Sequence, residues 1–448
     1  MNVLLPCLVV LLLGIMPVEA KDRPNILIIT ADNLGYGDLQ SYNPESQILT
    51  PNLDRLAEQG ARLTNFYTAS STCTVSRACL LTGRVSERHL LKNQLPGIKG
   101  NYGVGLKRDE VLIPQVVKRT GYATGCFGKW NIGFAKGSRP TERGFDEFVG
   151  HASGNIDYYS HVYNGKHDLY RGTDSLQADG TYSTNLFADS AIDFIRRRSM
   201  GSEPWLCYLP FNAPHFPNAK NKEPGQPSVW QAPATAFAAY GWKADQPNPV
   251  KRYAAVVTAL DDAIGRVLGV LDDSSQTKDT FVFFFSDNGA FKLGRAVDVG
   301  SNAPLRGGGV TCWEGGIRVP AIARWPDHIE AGTENSEVLW TPDLMVACSK
   351  LSGAELPADR DFDGLDPLPA LTSGAPSQHR SLYFAFRSHA ALRMDDWKIV
   401  RERNDAAWQL YNLREDVSES NDLSAVRKSV LEELTAEFER WRRGFPKQ

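Results

Sequence analysis

Two short apolar runs constrain the fold of this chain more than any other feature of its sequence. They are ILIITA at 26–31 and FVFFFS at 281–286, and each is followed at once by an Asp-Asn pair. A continuous apolar run of this length that stops at turn-forming residues is typical of a strand buried on both faces. Such strands occur in parallel sheets that helices cover on both sides, so the two runs predict the centre of an α/β fold.

Helical segments alternate with further strand-like runs along the same part of the chain. Helices are predicted in 50–60, 181–199 and 250–273, and strands in 122–130 and 204–215. Strands that alternate with helices of this length indicate parallel strands joined by crossover helices. We therefore expect an α/β fold with a large mixed, mostly parallel sheet sandwiched by helices.

The composition changes in the last quarter of the chain. Segment 361–378 is rich in Pro, Gly and Asp and is interpreted as a linker, and short neighbouring strands followed by one helix are predicted in 380–443. This pattern predicts a small antiparallel sheet with one helix packed on it. The expected division is a large α/β domain at 21–375 and a small C-terminal α+β subdomain at 376–448.

The first 20 residues are interpreted as a signal peptide. Val3 to Met16 are apolar, and small residues at Val18 and Ala20 occupy the positions that a signal peptidase reads. The run is too short to cross a bilayer, and no later segment approaches 18 consecutive apolar residues. We expect an exported protein, periplasmic or secreted, without a membrane span. The absence of an N-x-[ST] sequon fits a bacterial source.

Charge and cysteine content exclude some classes and leave others open. A net charge of −3 gives no reason to expect a nucleic acid as partner. Six cysteines follow residue 20, an even number that allows up to three disulfides in an exported protein. Cys126 and Cys207, however, lie in strand-like apolar runs where buried free thiols are common.

The polar residues that follow the two apolar runs suggest a metal site. They are Asp32 and Asn33 after the first run, and Asp287 and Asn288 after the second. Ligands of parallel α/β sheets bind beyond the carboxyl ends of the strands, so these four side chains are expected to meet. Their oxygens suit calcium or magnesium better than zinc. Taken singly, either pair is equally typical of a turn.

Basic side chains lie near other predicted strand ends. Lys129 and His215 follow two strand-like runs, and Arg77 stands four residues after Cys73. Together they would suit an oxyanion with several charged oxygens, such as sulfate or phosphate. The residues alone leave three interpretations of Cys73 open: a disulfide partner, a buried thiol or a chemically altered nucleophile.

Taken in order, these motifs resemble the type I sulfatases, which have an alkaline-phosphatase-like fold. The resemblance covers nearly all of the chain after residue 20 and is carried by PNILIITADNLGYGDL, CTVSRACLLTGR, GKWNIG, PTERGFDEFVG, APHFP, FSDNG and WEGGIRVPAIARWP. It implies hydrolysis of a sulfate ester. Among members of the family, the chain is most similar to arylsulfatases and to sulfatases that act on sulfated sugars.

The resemblance also implies the chemistry of Cys73. A formylglycine-generating or sulfatase-maturing enzyme would convert it to formylglycine, whose hydrate carries two hydroxyls on one carbon. One hydroxyl attacks sulfur and the other expels sulfate as the aldehyde re-forms, a route that a thiol lacks. The implied cofactor is a divalent cation, with calcium expected and magnesium as the alternative. The implied partners are a sulfated small molecule or glycan and the maturing enzyme.

The family pattern assigns roles to individual positions of this chain. The implied metal ligands are Asp32, Asn33, Cys73, Asp287 and Asn288. The implied catalytic residues are Cys73, Arg77, Lys129, Asn131 and His215, and the implied substrate-binding residues are Lys129, His215 and Arg306. In this scheme the cation and Arg77 lower the pKa of the attacking hydroxyl, and Lys129 and His215 neutralise sulfate oxygens.

Four positions depart from the family pattern. Val75 replaces the Pro of Cys-x-Pro-x-Arg, Asn33 replaces the second Asp of the metal pair, Asn131 replaces the His of GKWH, and Gly309 replaces the Lys that follows LRGG. Asn33 still offers a carbonyl oxygen to a cation. Losing a transition-state donor at 309 costs ~10²–10³ in rate, and losing an acid–base group at 131 costs ~10²–10⁴. Three basic residues could substitute: Lys292, Arg295 and Arg306.

These departures leave alternatives to a working sulfatase. One is a degenerate homologue that binds a sulfated glycan without turnover, and another is an enzyme for phosphate or phosphonate esters on the same scaffold. The retention of Cys73 and its basic neighbours favours a sulfatase with a rebuilt pocket. The aromatic motif IDYYSH has two possible roles. Its side chains Tyr158, Tyr159 and His161 could line a sugar-binding wall or could equally serve packing.

Overall fold

The computed structural model of the chain describes residues 23–95, 102–217, 229–292, 294 and 298–445. The signal peptide predicted at 1–20 lies outside the described residues. Within the described ranges, none of the helices has both the length and the apolar character that crossing a bilayer requires.

The strands and helices follow each other in the expected alternation. The strands are β1 Asn25–Ala31, β2 Ala61–Leu63, β3 Phe66–Tyr67, β4 Ala123–Lys129, β5 Glu147–His151, β6 Val162–Tyr163, β7 Lys166–His167, β8 Tyr170–Arg171, β9 Asp174–Ser175, β10 Trp205–Pro210, β11 Thr280–Ser286, β12 Ala321–Arg324, β13 Thr333–Asn335, β14 Leu339–Trp340, β15 Ser381–Phe386, β16 His389–Met394, β17 Trp397–Arg401 and β18 Gln409–Asn412. The helices are α1 Pro51–Glu58, α2 Cys73–Thr82, α3 Ser86–His89, α4 Ile113–Val117, α5 Ser183–Ser199, α6 Ala234–Ala238, α7 Pro249–Asp273, α8 Glu314–Ile317, α9 Asp343–Ser352, α10 Leu368–Ser373 and α11 Lys428–Arg443.

A ten-stranded sheet forms the centre of the molecule, in the order β13-β2-β12-β11-β1-β10-β4-β5-β8-β9. The five strands from β11 to β5 run parallel, and β12 and β8 add antiparallel neighbours on either side. Every residue of β1 and of β11 is buried, as their continuous apolar sequences predict. The predicted mixed, mostly parallel sheet is therefore confirmed.

Helices cover both faces of this sheet and bury alternate residues of its strands. Leu27 and Ile29 of β1 pack on the side of α1, α5 and α7, whereas Ile26 and Ile28 pack on the side of α2, α4 and α9. Asp261 of α7 accepts hydrogen bonds from the backbone N–H groups at the start of α1, so it joins two helices of one layer. The layers hold the strand ends, and the loops that follow them, in fixed positions.

The small C-terminal sheet is an antiparallel meander of β15 to β18. One of its faces packs on α11, and the other packs on the α/β part through residues that include Tyr67, Trp313 and Trp340. The predicted small antiparallel sheet with one helix is thus confirmed, and the sheet has four strands. Segment 361–378, interpreted as a linker, instead contains α10, and Asp363 accepts hydrogen bonds from Val85 and Arg88, so it packs on the α/β part.

The cysteines of the described residues are all free thiols and all buried. The disulfides that the even cysteine count allowed are not formed among them. Cys126 and Cys207 lie on β4 and β10, inside the sheet, as their apolar surroundings predict.

Candidate active site

The ends of five parallel strands bring the predicted site residues to one edge of the sheet. Asp32 follows β1, Asp287 follows β11 and Lys129 is the last residue of β4. The strand ladder continues one step further, because the Asp32 N–H donates to the Ala213 carbonyl and the Asp287 N–H donates to the Ala31 carbonyl, both at 2.9 Å. The two aspartates are therefore fixed by backbone pairing.

The four predicted metal ligands come together at this edge. The Asn33 N–H donates to Asp287 Oδ1 at 3.2 Å, and Asn288 Nδ2 donates to Asn33 Oδ1 at 2.5 Å. Asn33 adopts a positive φ of 65°, a conformation that asparagine tolerates better than most residues. All four side chains are buried.

The donor set fits a divalent cation. Asn288 Oδ1 is buried and has no hydrogen-bond partner, an arrangement that costs free energy unless something else binds the atom. Burial and then the facing Asp32 carboxylate raise the pKa of Asp287, as expected where two carboxylates lie close together. Two carboxylates and two amide oxygens are the hard donors that calcium and magnesium prefer.

Cys73 is the first residue of α2 and lies directly on this cluster. Its Sγ is 3.2 Å from Asp32 Oδ1 and 3.8 Å from Asn33 Oδ1. Burial and then the Asp32 carboxylate raise the pKa of the Cys73 thiol well above its usual value, so the unmodified residue is a poor thiolate nucleophile. Val75 lies in the first turn of α2, where Pro also fits, so its presence leaves the helix unaltered.

Arg77 and Lys129 balance the two buried aspartates. Arg77 contacts Asp287 Oδ2 through Nε at 2.9 Å and Nη2 at 2.7 Å, and its Nη1 donates to the Lys129 carbonyl at 3.0 Å. Lys129 Nζ donates to Asp32 Oδ2 at 2.5 Å. Burial is the largest influence and lowers the pKa of Lys129, but Asp32, Cys73 and Asp287 together more than offset it, so the pKa is raised. Lys129 is thus a fixed ammonium group inside the site.

His215 completes the cluster. One of its ring nitrogens, a carboxylate oxygen of Asp32 and Cys73 Sγ lie within 4.8 Å of one another. Burial and then the Lys129 charge lower the pKa of His215 to about 3, so the ring is neutral. Its Nδ1 lies 2.7 Å from the Phe216 carbonyl, which can only accept; Nδ1 therefore carries the proton, and Nε2 keeps a lone pair.

The IDYYSH motif supports this histidine through packing. Tyr158 is fully buried, stacks on Tyr182, and donates through its hydroxyl to the His215 carbonyl at 2.8 Å. His161 is also fully buried and contacts the Thr181 carbonyl. Of the two interpretations of this motif, packing therefore describes Tyr158 and His161, while Tyr159 stays partly exposed.

Asn131 and Arg306 differ in their relation to the site. Asn131 follows β4 with a positive φ of 54°, is buried, and leaves its Nδ2 without a hydrogen-bond partner. The structure places Arg306 elsewhere than predicted: its guanidinium lies 3.7 Å from the Trp313 ring centroid and donates to the Glu419 carbonyl at 2.7 Å. Through these contacts Arg306 joins the α/β part to the C-terminal sheet, so we do not include it among the residues of the candidate site.

The other suggested substitutes for the missing lysine are Lys292 and Arg295. Lys292 Nζ donates to the Gly300 carbonyl at 2.5 Å and is engaged there. Arg295 lies outside the described residues.

His151 is a site residue that the sequence did not single out. It ends β5 directly beside Lys129, its partner in the parallel ladder, and is fully buried with its ring stacked on Phe187. Its Nε2 has no hydrogen-bond partner, and burial followed by the Lys129 charge lowers its pKa well below the usual value. Only its place at the end of the short segment EFVGH, which follows the motif PTERGFD, could have pointed to it.

Comparison with known proteins gives matches over nearly the whole chain. A family model described as "Sulfatase" matches residues 24–352, and one described as "N-sulphoglucosamine sulphohydrolase, C-terminal" matches residues 311–443. The chain is similar to N-acetylgalactosamine-6-sulfatase of Rattus norvegicus, with 30% identity over 94% of this chain and 80% of the relative. It is also similar to arylsulfatase G of Canis lupus familiaris, with 30% identity over 91% of this chain and 83% of the relative.

A solved structure shares both fold and sequence with the chain. The crystal structure of Ps i-CgsB in complex with k-i-k-neocarrahexaose superimposes with a TM-score of 0.84 at 30% identity, covering 94% of this chain and 92% of the other.

Proposed function

Because the chain belongs to the sulfatase family and is a sulfuric ester hydrolase, we propose that it removes sulfate from a sulfated sugar at the site around residue 73. The position of Cys73 carries this proposal. Its Sγ lies 3.2 Å from Asp32 Oδ1 and close to His215. The same buried cluster contains the positively charged side chains of Arg77 and Lys129. Sugar esters are favoured over simple aryl esters because one similar enzyme is named N-acetylgalactosamine-6-sulfatase and one similar structure is a complex with k-i-k-neocarrahexaose.

Sulfatases in general use formylglycine and a divalent cation, and this site fits both. We propose that Cys73 is the residue converted to formylglycine and that Asp32, Asn33, Asp287 and Asn288 hold the cation, with calcium favoured by the all-oxygen donors. When present, the hydrated formylglycine supplies an oxygen nucleophile and the cation supplies positive charge that lowers the pKa of this nucleophile.

Lys129 and His215 act on the substrate in different ways. Lys129 keeps its ammonium charge inside a water-poor site, where it stabilises negative charge that builds up on the sulfate oxygens. His215 is neutral with a lone pair on Nε2. We assign it to take the proton that the attacking hydroxyl gives up and to return this proton to the departing sugar oxygen, because the negative charge of a bound sulfate group raises its low pKa.

Arg77 and Asn131 have supporting roles. The guanidinium of Arg77 is occupied by Asp287 and by the Lys129 carbonyl, so it fixes a metal ligand and the end of β4. We assign it as a positioning residue. Asn131 offers an amide N–H at the position where the family has a histidine, and this group can donate a hydrogen bond but cannot carry a proton.

The inactive, glycan-binding alternative has no observation in its favour. One buried cluster contains Cys73, the neutral His215 and the charged side chains of Arg77 and Lys129. The four oxygen-donating side chains lie in the same cluster. The missing groups at 131 and 309 are expected to lower the rate rather than to abolish it, because the binding and metal functions remain.

Export and maturation are part of the same proposal. The apolar N-terminus is proposed to direct export, and a formylglycine-generating or sulfatase-maturing enzyme is the proposed partner that modifies Cys73. A bacterial source gains no support from the similar proteins, since these come from mammals as well as from bacteria.

The test begins with the peptide that contains Cys73. The protein is purified from its native host, or from cells that also produce a formylglycine-generating enzyme, and the peptide is measured by mass spectrometry. The expected result is the mass of formylglycine at position 73. An unmodified thiol in a host that matures a control sulfatase would overturn the proposed mechanism.

Sulfate release from sulfated sugars then tests the reaction. Cys73→Ala is expected to lose at least about 10⁴-fold in activity, because it removes the nucleophile. Cys79→Ala is the matched control: this thiol is also buried in α2 but contacts His89, and its loss should leave turnover intact.

A further inference from the structure

The residue that replaces the missing lysine lies at the rim of the active site. The Gly309 N–H donates to the Ala290 carbonyl at 3.0 Å, and the Val310 N–H donates to the Ser71 carbonyl at 2.8 Å. Ala290 is two residues from Asn288, and Ser71 is two residues from Cys73. Position 309 is therefore held between the segment after β11, which carries Asp287 and Asn288, and the start of α2.

No side chain fits at this position as the loop stands. A Cβ on Gly309 would lie 2.7 Å from Phe291 Cδ1 and 2.8 Å from the Gly289 carbonyl oxygen. Real Cβ atoms do not approach other atoms so closely, and the second neighbour is backbone. The absence of the lysine is thus tied to the position of an aromatic ring, which occupies the space that a longer side chain would need.

The Phe291 ring faces the group that we assign to proton transfer. Its centroid is 5.8 Å from that of His215 in an edge-to-face arrangement and 6.1 Å from that of Phe216. Phe216 packs in turn on Trp230, which packs on Tyr253 in the core. The ring is partly exposed, so one apolar surface remains open beside His215 and is backed by a rigid stack.

We propose that Phe291, for which Gly309 makes room, is a specificity residue whose ring packs against the apolar C–H face of the sugar that carries the sulfate. This inference rests on the proposed function and adds the substrate class. An aromatic ring in place of an ammonium group provides contact area without charge. The favoured substrate is therefore a neutral pyranose with a single sulfate, and a sugar with a second anionic group is disfavoured.

Binding measurements test this without requiring turnover. Calorimetric titration of the calcium-loaded Cys73→Ala protein uses galactose 6-sulfate, galactose 4-sulfate and glucose 6-sulfate, with inorganic sulfate as the probe that lacks a ring. Phe291→Leu is expected to weaken binding of the best sugar about two- to tenfold, the range for a lost aromatic contact, and to leave inorganic sulfate unchanged. Phe291→Tyr keeps the ring and should retain the affinity.

The charge preference gives a second arm of the same experiment. A sulfated uronic acid should bind more weakly than the best neutral sugar. Equal affinity of Phe291→Leu and the parent for every sugar, or an equal loss for inorganic sulfate, would overturn the inference. So would failure of all the sugars to bind.

Sulfate release by the unsubstituted enzyme separates the two proposals. If the enzyme turns over a sugar whose affinity is unchanged in Phe291→Leu, the specificity role is wrong and the proposed function is still supported. Binding that depends on Phe291, with no turnover by protein carrying formylglycine, would support the specificity role and remove the proposed reaction.

A stability measurement checks the link between the two positions. Gly309→Ala is expected to lower the Tm, and adding Phe291→Ala should recover part of the loss, because the ring clash is relieved while the Gly289 carbonyl remains. Gly269→Ala is the control, since a Cβ there meets nothing within 4 Å and alanine favours the helix α7. An unchanged Tm in Gly309→Ala would contradict the packing argument.

Discussion

Two buried clusters of charged side chains in this molecule have a similar composition. They differ in whether the polar atoms around the charges have hydrogen-bond partners. The active-site cluster comprises Asp32, Asp287, Arg77 and Lys129, and the junction cluster comprises Glu314, Glu419, Lys398, Arg318 and Arg393. In each a lysine with no exposed surface contacts a carboxylate: Lys129 Nζ is 2.5 Å from Asp32, and Lys398 Nζ is 2.8 Å from both Glu314 and Glu419.

The difference lies in the atoms around the charges. In the junction cluster three of the four carboxylate oxygens of Glu314 and Glu419 accept hydrogen bonds, from Lys398, the Tyr67 hydroxyl and the Glu314 N–H. The fourth, Glu419 Oε1, has no hydrogen bond but lies 2.8 Å from the Lys398 ammonium nitrogen as an ion pair. The active-site cluster is surrounded by buried polar atoms without partners, such as Asn288 Oδ1 and His151 Nε2. Buried charges with complete partners join two parts of a fold, whereas charges beside unpartnered donors and acceptors mark a place for a ligand.

The largest expected effect on stability is at the junction cluster. Lys398→Met should lower the free energy of unfolding by about 3–5 kcal/mol, because it leaves two buried glutamates without their cation. Urea unfolding measures this. Lys278→Met, which removes an exposed pair with Asp327, should cost less than about 1 kcal/mol. Similar losses in both variants would contradict the structural role of the junction cluster.

The corresponding change in the active-site cluster should act on catalysis. Lys129→Met is expected to lower kcat/KM by about 10²–10³, because it removes a preorganised cation from the transition state. Lys398→Met serves as the matched variant, since it removes an equally buried lysine outside the site, and its activity per folded molecule should be normal. The comparison fails if the two variants exchange these phenotypes.

Cation binding should distinguish the two clusters next. Calcium at about 100 times its Kd should raise the free energy of unfolding by about 2.7 kcal/mol, and a chelator should reverse this. Asp287→Asn should abolish most of the response. Asp261→Asn, a change at a buried aspartate that binds only the start of α1, should keep it. A calcium response that survives Asp287→Asn would place the cation elsewhere.

The pH dependence of stability gives a further test of the junction cluster. Burial raises the pKa of Glu419 to about 7 from an ordinary 4.5, although Lys398 opposes this. Between these values the folded protein holds a proton that the unfolded chain releases, so this contribution to stability is complete below pH 4.5 and is lost as the pH rises to 7.

Denaturation at several pH values measures this contribution. Glu419→Gln should remove this part of the slope between pH 4.5 and 7. Glu314 behaves in the opposite sense: although burial alone would raise its pKa, Lys398 and the neighbouring arginines lower it to about 2, and its contribution is lost as the pH falls below 4.5. An unchanged slope in Glu419→Gln would show that the glutamate is charged throughout.

Much of the fold and part of the site could be predicted from the sequence because the relevant signals are local. The runs at 26–31 and 281–286 are apolar on both faces apart from Thr30 and Ser286, and this suffices to identify strands buried on both faces. Since parallel strands end at the same edge, the Asp-Asn pairs and Lys129 were expected there, and the structure brings them together.

What the tertiary structure alone decided depends on contacts between distant segments. His151 belongs to the site only because β5 pairs with β4 and sets it beside Lys129. Arg306 lies away from the site because its guanidinium contacts the Trp313 ring and the Glu419 carbonyl. Phe291 packs against Gly309 because their two loops pair through an isolated β-bridge. Sequence by itself identified most of the candidate site residues, since those lie in short motifs. Packing decided which of them lie together at the edge of the sheet, because a side chain's direction is set by neighbours far away in the chain.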